Sequence, residues 1–113
     1  IFTDAKYSGA QVFYYQDSEE GARLASCLQN QLIAGVDPEN TRVPKSNMNY
    51  YMLKNSPVPI VIVECGFLTN TEEEAKLGTE EYQRKLAWNI YLGTMHYINS
   101  EGQDSTGTET DAG

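Results

Sequence analysis

Residues 58–70 read VPIVIVECGFLTN and are the most informative stretch of this chain. An apolar run from Val58 to Val63 leads directly into Glu64, and Gly66 follows two places later. A continuous apolar run without alternation is typical of a strand covered on both faces, as in the parallel sheets of α/β proteins. Ligands bind to such sheets beyond the carboxyl ends of the strands. We therefore predict that Glu64 lies at a ligand site.

Length and charge restrict the class of protein. The 113 residues suffice for one small domain or part of a larger one. A formal net charge of −8 argues against nucleic acid as a partner. No run approaches the ~20 apolar residues of a membrane-spanning helix. The chain opens on Ile1 without a methionine, so we expect it to be cut from a longer protein, and a missing signal peptide then says nothing about compartment.

The first half of the chain predicts one strand and one helix. Residues 10–15 have the composition of a strand. Asp17 is the predicted N-cap of the helix that follows, with Glu20 completing a capping box and Gly35 as the stop. Apolar residues recur in this helix at i, i+3, i+4 and i+8 and predict its buried side: Leu24, Cys27, Leu28 and Leu32.

Residues 36–49 are predicted to form a long loop. They contain two prolines and several asparagines and lack clear periodicity, and loops of this length are often functional or disordered. Arg42 and Lys45 fall within this segment. Residues 50–54 fit either a short strand or a helical turn, and both alternatives remain open.

The last part of the chain predicts two helices and a tail. Asn70 or Thr71 caps a short acidic helix that ends at Gly78, and residues 72–74 are expected to form its solvated first turn. Thr79 opens a longer helix to about Asn99, whose predicted buried face is Tyr82, Leu86, Ile90, Gly93 and Tyr97. We expect residues 1–100 to belong to one folded unit and residues 101–113 to form a disordered acidic tail.

Glu64 is the best candidate for a catalytic residue. Partial removal from water favours the protonated form of a carboxylate, which suits it to take a proton from a metal-bound water and return it to a leaving group. The structural alternative is that Glu64 pairs with Lys54 or Lys45, or accepts hydrogen bonds from backbone amides of the following turn.

The other side chains with notable chemistry give less support for a catalytic site. A catalytic zinc usually takes three protein ligands, and the single histidine, His96, lies in the last helix without a convincing partner. It is predicted to be a surface or half-buried helix residue. Cys27 and Cys65 are predicted to be buried free thiols, with a disulfide as the alternative. Tyr14 and Tyr15 are candidates for a carbohydrate groove.

Residues 63–70, VECGFLTN, resemble the signature of zinc-dependent N-acetylmuramoyl-L-alanine amidases of the amidase 3 family. That signature is a small apolar strand, Glu, any residue, Gly-Phe-Leu, Ser or Thr, and Asn. The resemblance continues through residues 81–87, extends back to residues 8–15, and includes a variable loop at residues 42–53. The resemblance covers residues 7–99, and the sequence is most similar to the spore-cortex, germination-type amidases.

The resemblance implies the C-terminal half of an α/β catalytic domain, with a twisted mixed or parallel sheet flanked by helices. Such enzymes cleave the amide between N-acetylmuramic acid and L-alanine of the peptidoglycan stem peptide. In them a zinc ion activates water, and the glutamate at the position of Glu64 acts as general base and acid. The family's zinc ligands lie upstream of Ile1, so no metal ligand is expected in this chain and the fragment alone should be inactive.

Asn70, Arg42 and Lys45 are the candidate substrate-binding residues. Peptidoglycan is the expected partner, and the protein's own N-terminal portion is a second candidate partner as a separate fragment. The expected place of action is outside the cytoplasm, in the cell wall or the spore envelope. The alternative function is a non-catalytic amidase-like domain that binds peptidoglycan or a partner protein.

Overall fold

The computed structural model describes residues 8–47, 49, 51–67 and 70–106, with the backbone alone for residues 101–106. In chain order the elements are β1 (Gln11–Tyr15), α1 (Glu19–Gly35), β2 (Lys45–Asn47), α2 (Tyr51–Lys54), β3 (Val61–Glu64), α3 (Thr71–Leu77) and α4 (Glu80–Thr106).

The three strands form a mixed sheet in the order β2-β1-β3. β1 runs parallel to β2 and antiparallel to β3, with Gln11 opposite Glu64 and Val12 opposite Val63. A sheet flanked by helices was predicted as mixed or parallel, and the mixed form is confirmed. The antiparallel pairing of β3 differs from the parallel neighbours that its continuous apolar sequence favoured.

The strand that carries Glu64 is shorter than predicted. β3 begins at Val61, whereas the apolar run begins at Val58, whose side chain is 63% exposed. Proline has no backbone N–H to donate to a ladder, so Pro57 and Pro59 keep this part of the run outside the sheet. The four residues of β3 are half-buried rather than fully covered.

α1 begins one residue later than predicted. The Ser18 hydroxyl accepts a hydrogen bond from the Gly21 N–H at 2.8 Å, so Ser18 is the N-cap and the prediction of Asp17 was wrong. Gly21 then holds the third helical position, and the predicted capping box with Glu20 does not form. The Glu20 carboxylate instead accepts hydrogen bonds from Arg23 at 3.0 Å and from the Tyr97 hydroxyl at 2.7 Å.

The core lies between the sheet and the pair α1 and α4. Leu28 and Leu32 of the predicted α1 face are buried, as are Leu86 and Tyr97 of the predicted α4 face. Gly93 lies where the two helices meet: a Cβ there would come within 2.9 Å of Leu28 Cδ2 and 3.1 Å of Leu28 Cα. The two helical faces predicted from periodicity are therefore confirmed as the faces that pack together.

The remaining helices settle the predictions left open. Residues 51–54 are helical, so the segment is not a strand, and Tyr50 lies outside the described residues. Asn70 rather than Thr71 caps α3, since its Oδ1 accepts the Glu73 N–H at 3.1 Å. α4 continues to Thr106 instead of ending near Asn99, and residues 107–113 of the predicted tail lie outside the described part. None of the helices described has the length and apolarity to cross a membrane.

Candidate active site

Glu64 is the last residue of β3. The residue is half-buried and is paired through its backbone with Gln11 of β1. Among the described residues, no side chain or backbone amide forms a hydrogen bond or ion pair with the Glu64 carboxylate. Within the described residues, Glu64 therefore pairs with neither Lys54 nor Lys45 and accepts no hydrogen bond from the amides of residues 65–67.

Strand alternation places Glu64 on the face of the sheet opposite the main core. Val61 and Val63 pack against the core between the sheet and α1 and α4. Successive side chains of a strand point to opposite faces, so Ile62 and Glu64 face away from those helices. The half-buried position leaves the carboxylate accessible while the backbone that carries it is held in the sheet.

A network of buried amides fixes the start of β1 beside Glu64. Gln29 of α1 accepts the Val12 N–H at 2.9 Å and donates to the Ala10 carbonyl at 3.0 Å. Gln11 donates from Nε2 to the Val43 carbonyl at 2.8 Å, while its buried Oε1 has no partner within the described residues. Burial of these two glutamines was not predicted from the sequence, because polar residues in amphipathic patterns are assigned to the exposed side.

Glu73 performs the structural task that was considered for Glu64. It is 5% exposed, so the prediction of a fully solvated first turn is wrong for this residue, although Glu72 and Glu74 are exposed. Glu73 Oε1 accepts the Phe67 N–H at 2.6 Å, and Oε2 accepts the Gly9 N–H at 2.7 Å. A carboxylate of α3 thus joins the segment after β3 to the segment before β1.

Two glycines make this junction sterically feasible. Gly9 has φ +93°, a backbone conformation that residues other than glycine rarely adopt. A Cβ on Gly66 would lie 2.8 Å from Glu73 Cδ, closer than any ordinary contact. The glycine in the Glu-x-Gly pattern therefore makes room for the Glu73 side chain.

The structure separates the three candidate substrate-binding residues. The Arg42 guanidinium donates to the Ser8 carbonyl at 3.0 and 3.3 Å and lies 4.9 Å from the centre of the Phe67 ring, three residues after Glu64. Asn70 uses its side-chain oxygen to cap α3. Lys45 is exposed on β2, opposite Phe13 and on the other side of β1 from Glu64. Their roles in substrate binding stay predictions.

The remaining candidates lie apart from Glu64 or in the core. Cys27 and Cys65 are free and half-buried, and burial raises the pKa of the Cys65 thiol. Tyr14 packs against the core, and His96 is exposed on α4, as predicted. The described ranges contain no group of three His, Cys, Asp or Glu side chains able to hold a metal ion, so these residues by themselves do not fit a zinc site.

Comparison with known proteins decides the family. The family model described as N-acetylmuramoyl-L-alanine amidase (amidase 3) matches residues 1–96. The chain belongs to this family. The match includes β3 with Glu64, α3 and α4 as far as residue 96, so the family resemblance predicted from residues 63–70 is confirmed.

Three relatives give the scale of the match to this amidase family. The germination-specific N-acetylmuramoyl-L-alanine amidase of Bacillus subtilis (strain 168) is 36% identical over 97 residues, which are 86% of this chain and 40% of that protein. The CwlD amidase from Clostridioides difficile, solved in complex with the GerS lipoprotein, has a TM-score of 0.87 and 41% identity over 88% of this chain and 51% of its own. The N-acetylmuramoyl-L-alanine amidase from Clostridium difficile 630 has a TM-score of 0.75 and 32% identity, over 84% of this chain and 50% of its own. The chain therefore spans about half the length of these relatives.

Proposed function

We propose that the intact protein hydrolyses the amide between N-acetylmuramic acid and L-alanine of the peptidoglycan stem peptide, and that Glu64 transfers the protons. The observation that carries this proposal is the half-buried Glu64 carboxylate at the end of β3, which has no hydrogen-bond or ion-pair partner among the described residues. Membership in the amidase family supports the choice of bond. The relatives also support a place of action outside the cytoplasm, in the cell wall or the spore envelope.

Glu64 would act first as general base and then as general acid. It removes a proton from the water that attacks the amide carbonyl carbon, and it delivers that proton to the nitrogen of the departing L-alanine. The carbon–oxygen bond forms first and the carbon–nitrogen bond then breaks, so the water supplies the hydroxyl of the new carboxylic acid and the hydrogen of the released amine. Antiparallel pairing of Glu64 with Gln11 holds the backbone, while the free carboxylate can exchange the proton.

Zinc dependence is part of the proposal, with all ligands outside this chain. The described residues provide no group of three ligands, and this chain is proposed to contribute Glu64 and the substrate contacts. A bound zinc would supply Lewis-acid polarisation of the carbonyl and a lowered pKa for the attacking water. Arg42, Lys45 and Asn70 remain the proposed substrate contacts, and the Arg42 guanidinium lies 4.9 Å from the centre of the Phe67 ring.

The test is the Glu64→Gln variant of the intact, zinc-loaded protein. We expect turnover of peptidoglycan to fall by about 10²- to 10⁴-fold, the usual contribution of a general acid–base group. Metal analysis should find unchanged zinc, because Glu64 is not proposed as a ligand. Glu72→Gln is the matched control: it removes the same charge at an exposed position and should leave turnover unchanged.

Two results would contradict the proposal. Near-normal turnover of Glu64→Gln with its zinc in place would remove Glu64 from the reaction. An intact protein that binds peptidoglycan and zinc but releases no stem peptide would instead support the non-catalytic alternative.

A further inference from the structure

We infer that Glu73 is a positioning residue for Glu64, holding the two segments that flank it through the Phe67 and Gly9 amides. This inference rests on the proposed function, because the position of Glu64 affects turnover only if Glu64 takes part in the reaction. Glu73 does not touch the reacting atoms in this account. It acts through the backbone of its neighbours.

The contacts of Glu73 are short, and both are made to main-chain N–H groups. Oε1 lies 2.6 Å from the Phe67 nitrogen and Oε2 lies 2.7 Å from the Gly9 nitrogen. Hydrogen bonds that involve a charged partner are shorter and about twice as strong as neutral ones. No lysine or arginine in the described part of the chain forms an ion pair with Glu73, so these amides are what compensates its burial.

Both bonded segments lead directly to Glu64. Phe67 lies three residues after Glu64 along the chain, and Gly9 lies two residues before Gln11, the cross-strand partner of Glu64. Glu73 therefore restrains Glu64 from its own strand and from the neighbouring strand.

The Glu73 side chain is itself tightly enclosed. The Asn70 cap fixes the start of α3, and the Gly66 backbone lies so near that an added Cβ would be 2.8 Å from Glu73 Cδ. Burial raises the pKa of Tyr82, and the negative charge of Glu73 adds to that shift. A restrained, enclosed carboxylate can transmit a fixed geometry to the segment that it holds.

The experiment compares Glu73→Gln with Glu72→Gln in the intact, zinc-loaded protein. Glutamine keeps the size of the side chain but turns an NH₂ group toward one of the two N–H donors, so one hydrogen bond is lost. We expect kcat per folded, zinc-loaded molecule to fall about 10- to 100-fold, as a displacement of about 1 Å can cause. KM should stay within about twofold, because the expected loss is in proton transfer by Glu64 and not in substrate binding. The exposed Glu72→Gln control should match the unmodified protein.

A purely structural Glu73 would give a different result. The melting temperature and the folded fraction would fall, but kcat for each folded, zinc-loaded molecule would stay the same, and that outcome overturns the inference. Gly66→Ala is the second variant, because its methyl group displaces the Glu73 carboxylate without changing charge. It should lower kcat in the same way, while Gly78→Ala, whose Cβ would meet only ordinary contacts at 3.5 Å or more, should not.

The remaining outcomes are also decisive. If one of the two test variants fails to fold, the other decides, and failure of both to fold makes Glu73 a stability residue and overturns the inference. Full turnover by Glu64→Gln would instead defeat the proposed function itself, whatever Glu73→Gln does.

Discussion

At the start of α1, two neighbouring residues could each serve as the N-cap, and only one of them does. Asp17 and Ser18 are both frequent N-cap residues, and the sequence gives no physical ground for preferring the second. In the structure the Ser18 hydroxyl takes the Gly21 N–H, and Asp17 is exposed outside the helix. The choice depends on where β1 ends, since Ser18 also donates its own N–H to the Tyr15 carbonyl at 3.0 Å.

Replacing Ser18, the N-cap, should lower the stability of the protein, whereas replacing its neighbour Asp17 should not. We expect Ser18→Ala to lower the free energy of unfolding of the intact protein by about 1 kcal/mol, the typical loss for an N-cap. Asp17→Ala is the matched control and should stay within about 0.5 kcal/mol. Urea unfolding of both variants measures the difference, and a larger loss from Asp17→Ala would show that the cap is misassigned.

At the scale of elements, the close contact between α1 and α4 is the main packing feature. Periodicity predicted which side of each helix is buried, but it did not predict how near the axes approach. That distance depends on Gly93, where any side chain would meet Leu28 Cα and the Cys27 carbonyl. Asn89 is buried on the same helix and accepts from Gln31 at 2.7 Å, a polar contact that a purely apolar face does not anticipate.

Gly93→Ala should therefore destabilise the protein even though alanine is the better helix former by ~1 kcal/mol. The added methyl group would press against backbone atoms of α1, and overpacking of this kind costs about 1 to 3 kcal/mol. Thermal unfolding of the intact protein should show a lower midpoint. Asn99→Ala, at an exposed position of α4, is the control and should be neutral or slightly stabilising; a stabilising Gly93→Ala would mean that the helices lie further apart.

The pairing of Glu20 with α4 gives a pH dependence. The Arg23 hydrogen bond, followed by that from the Tyr97 hydroxyl, holds the pKa of Glu20 below its ordinary value of 4.5. Because the folded pKa is the lower one, the stabilisation is present above pH 4.5 and is lost as the pH falls through the folded pKa. Unfolding midpoints measured below pH 5 should fall more steeply for the unmodified protein than for Glu20→Gln. Parallel curves would show that Glu20 makes no such contribution.

At the scale of the whole molecule, the chain spans about half of its amidase relatives. The described residues hold the proposed proton-transfer group but no three-ligand metal group. We therefore expect residues 1–113 alone to bind no stoichiometric zinc and to release no stem peptide from peptidoglycan. Metal analysis and a peptide-release assay test this, with the intact protein as control. Zinc-dependent turnover by the isolated chain would contradict the account.

The amino-acid sequence by itself determined the features that depend on near neighbours. The apolar periodicity of α1 and α4, the block around Glu64 and the family that it indicates all follow from residues close together in the chain. Only the tertiary structure decided which glutamate is free and which is buried. Glu73 lies in a run of three glutamates that was predicted to be solvated, yet it is buried and accepts a hydrogen bond from the amide of Gly9, 64 positions away. The partners that compensate a buried charge come from distant segments, so local patterns cannot reveal them.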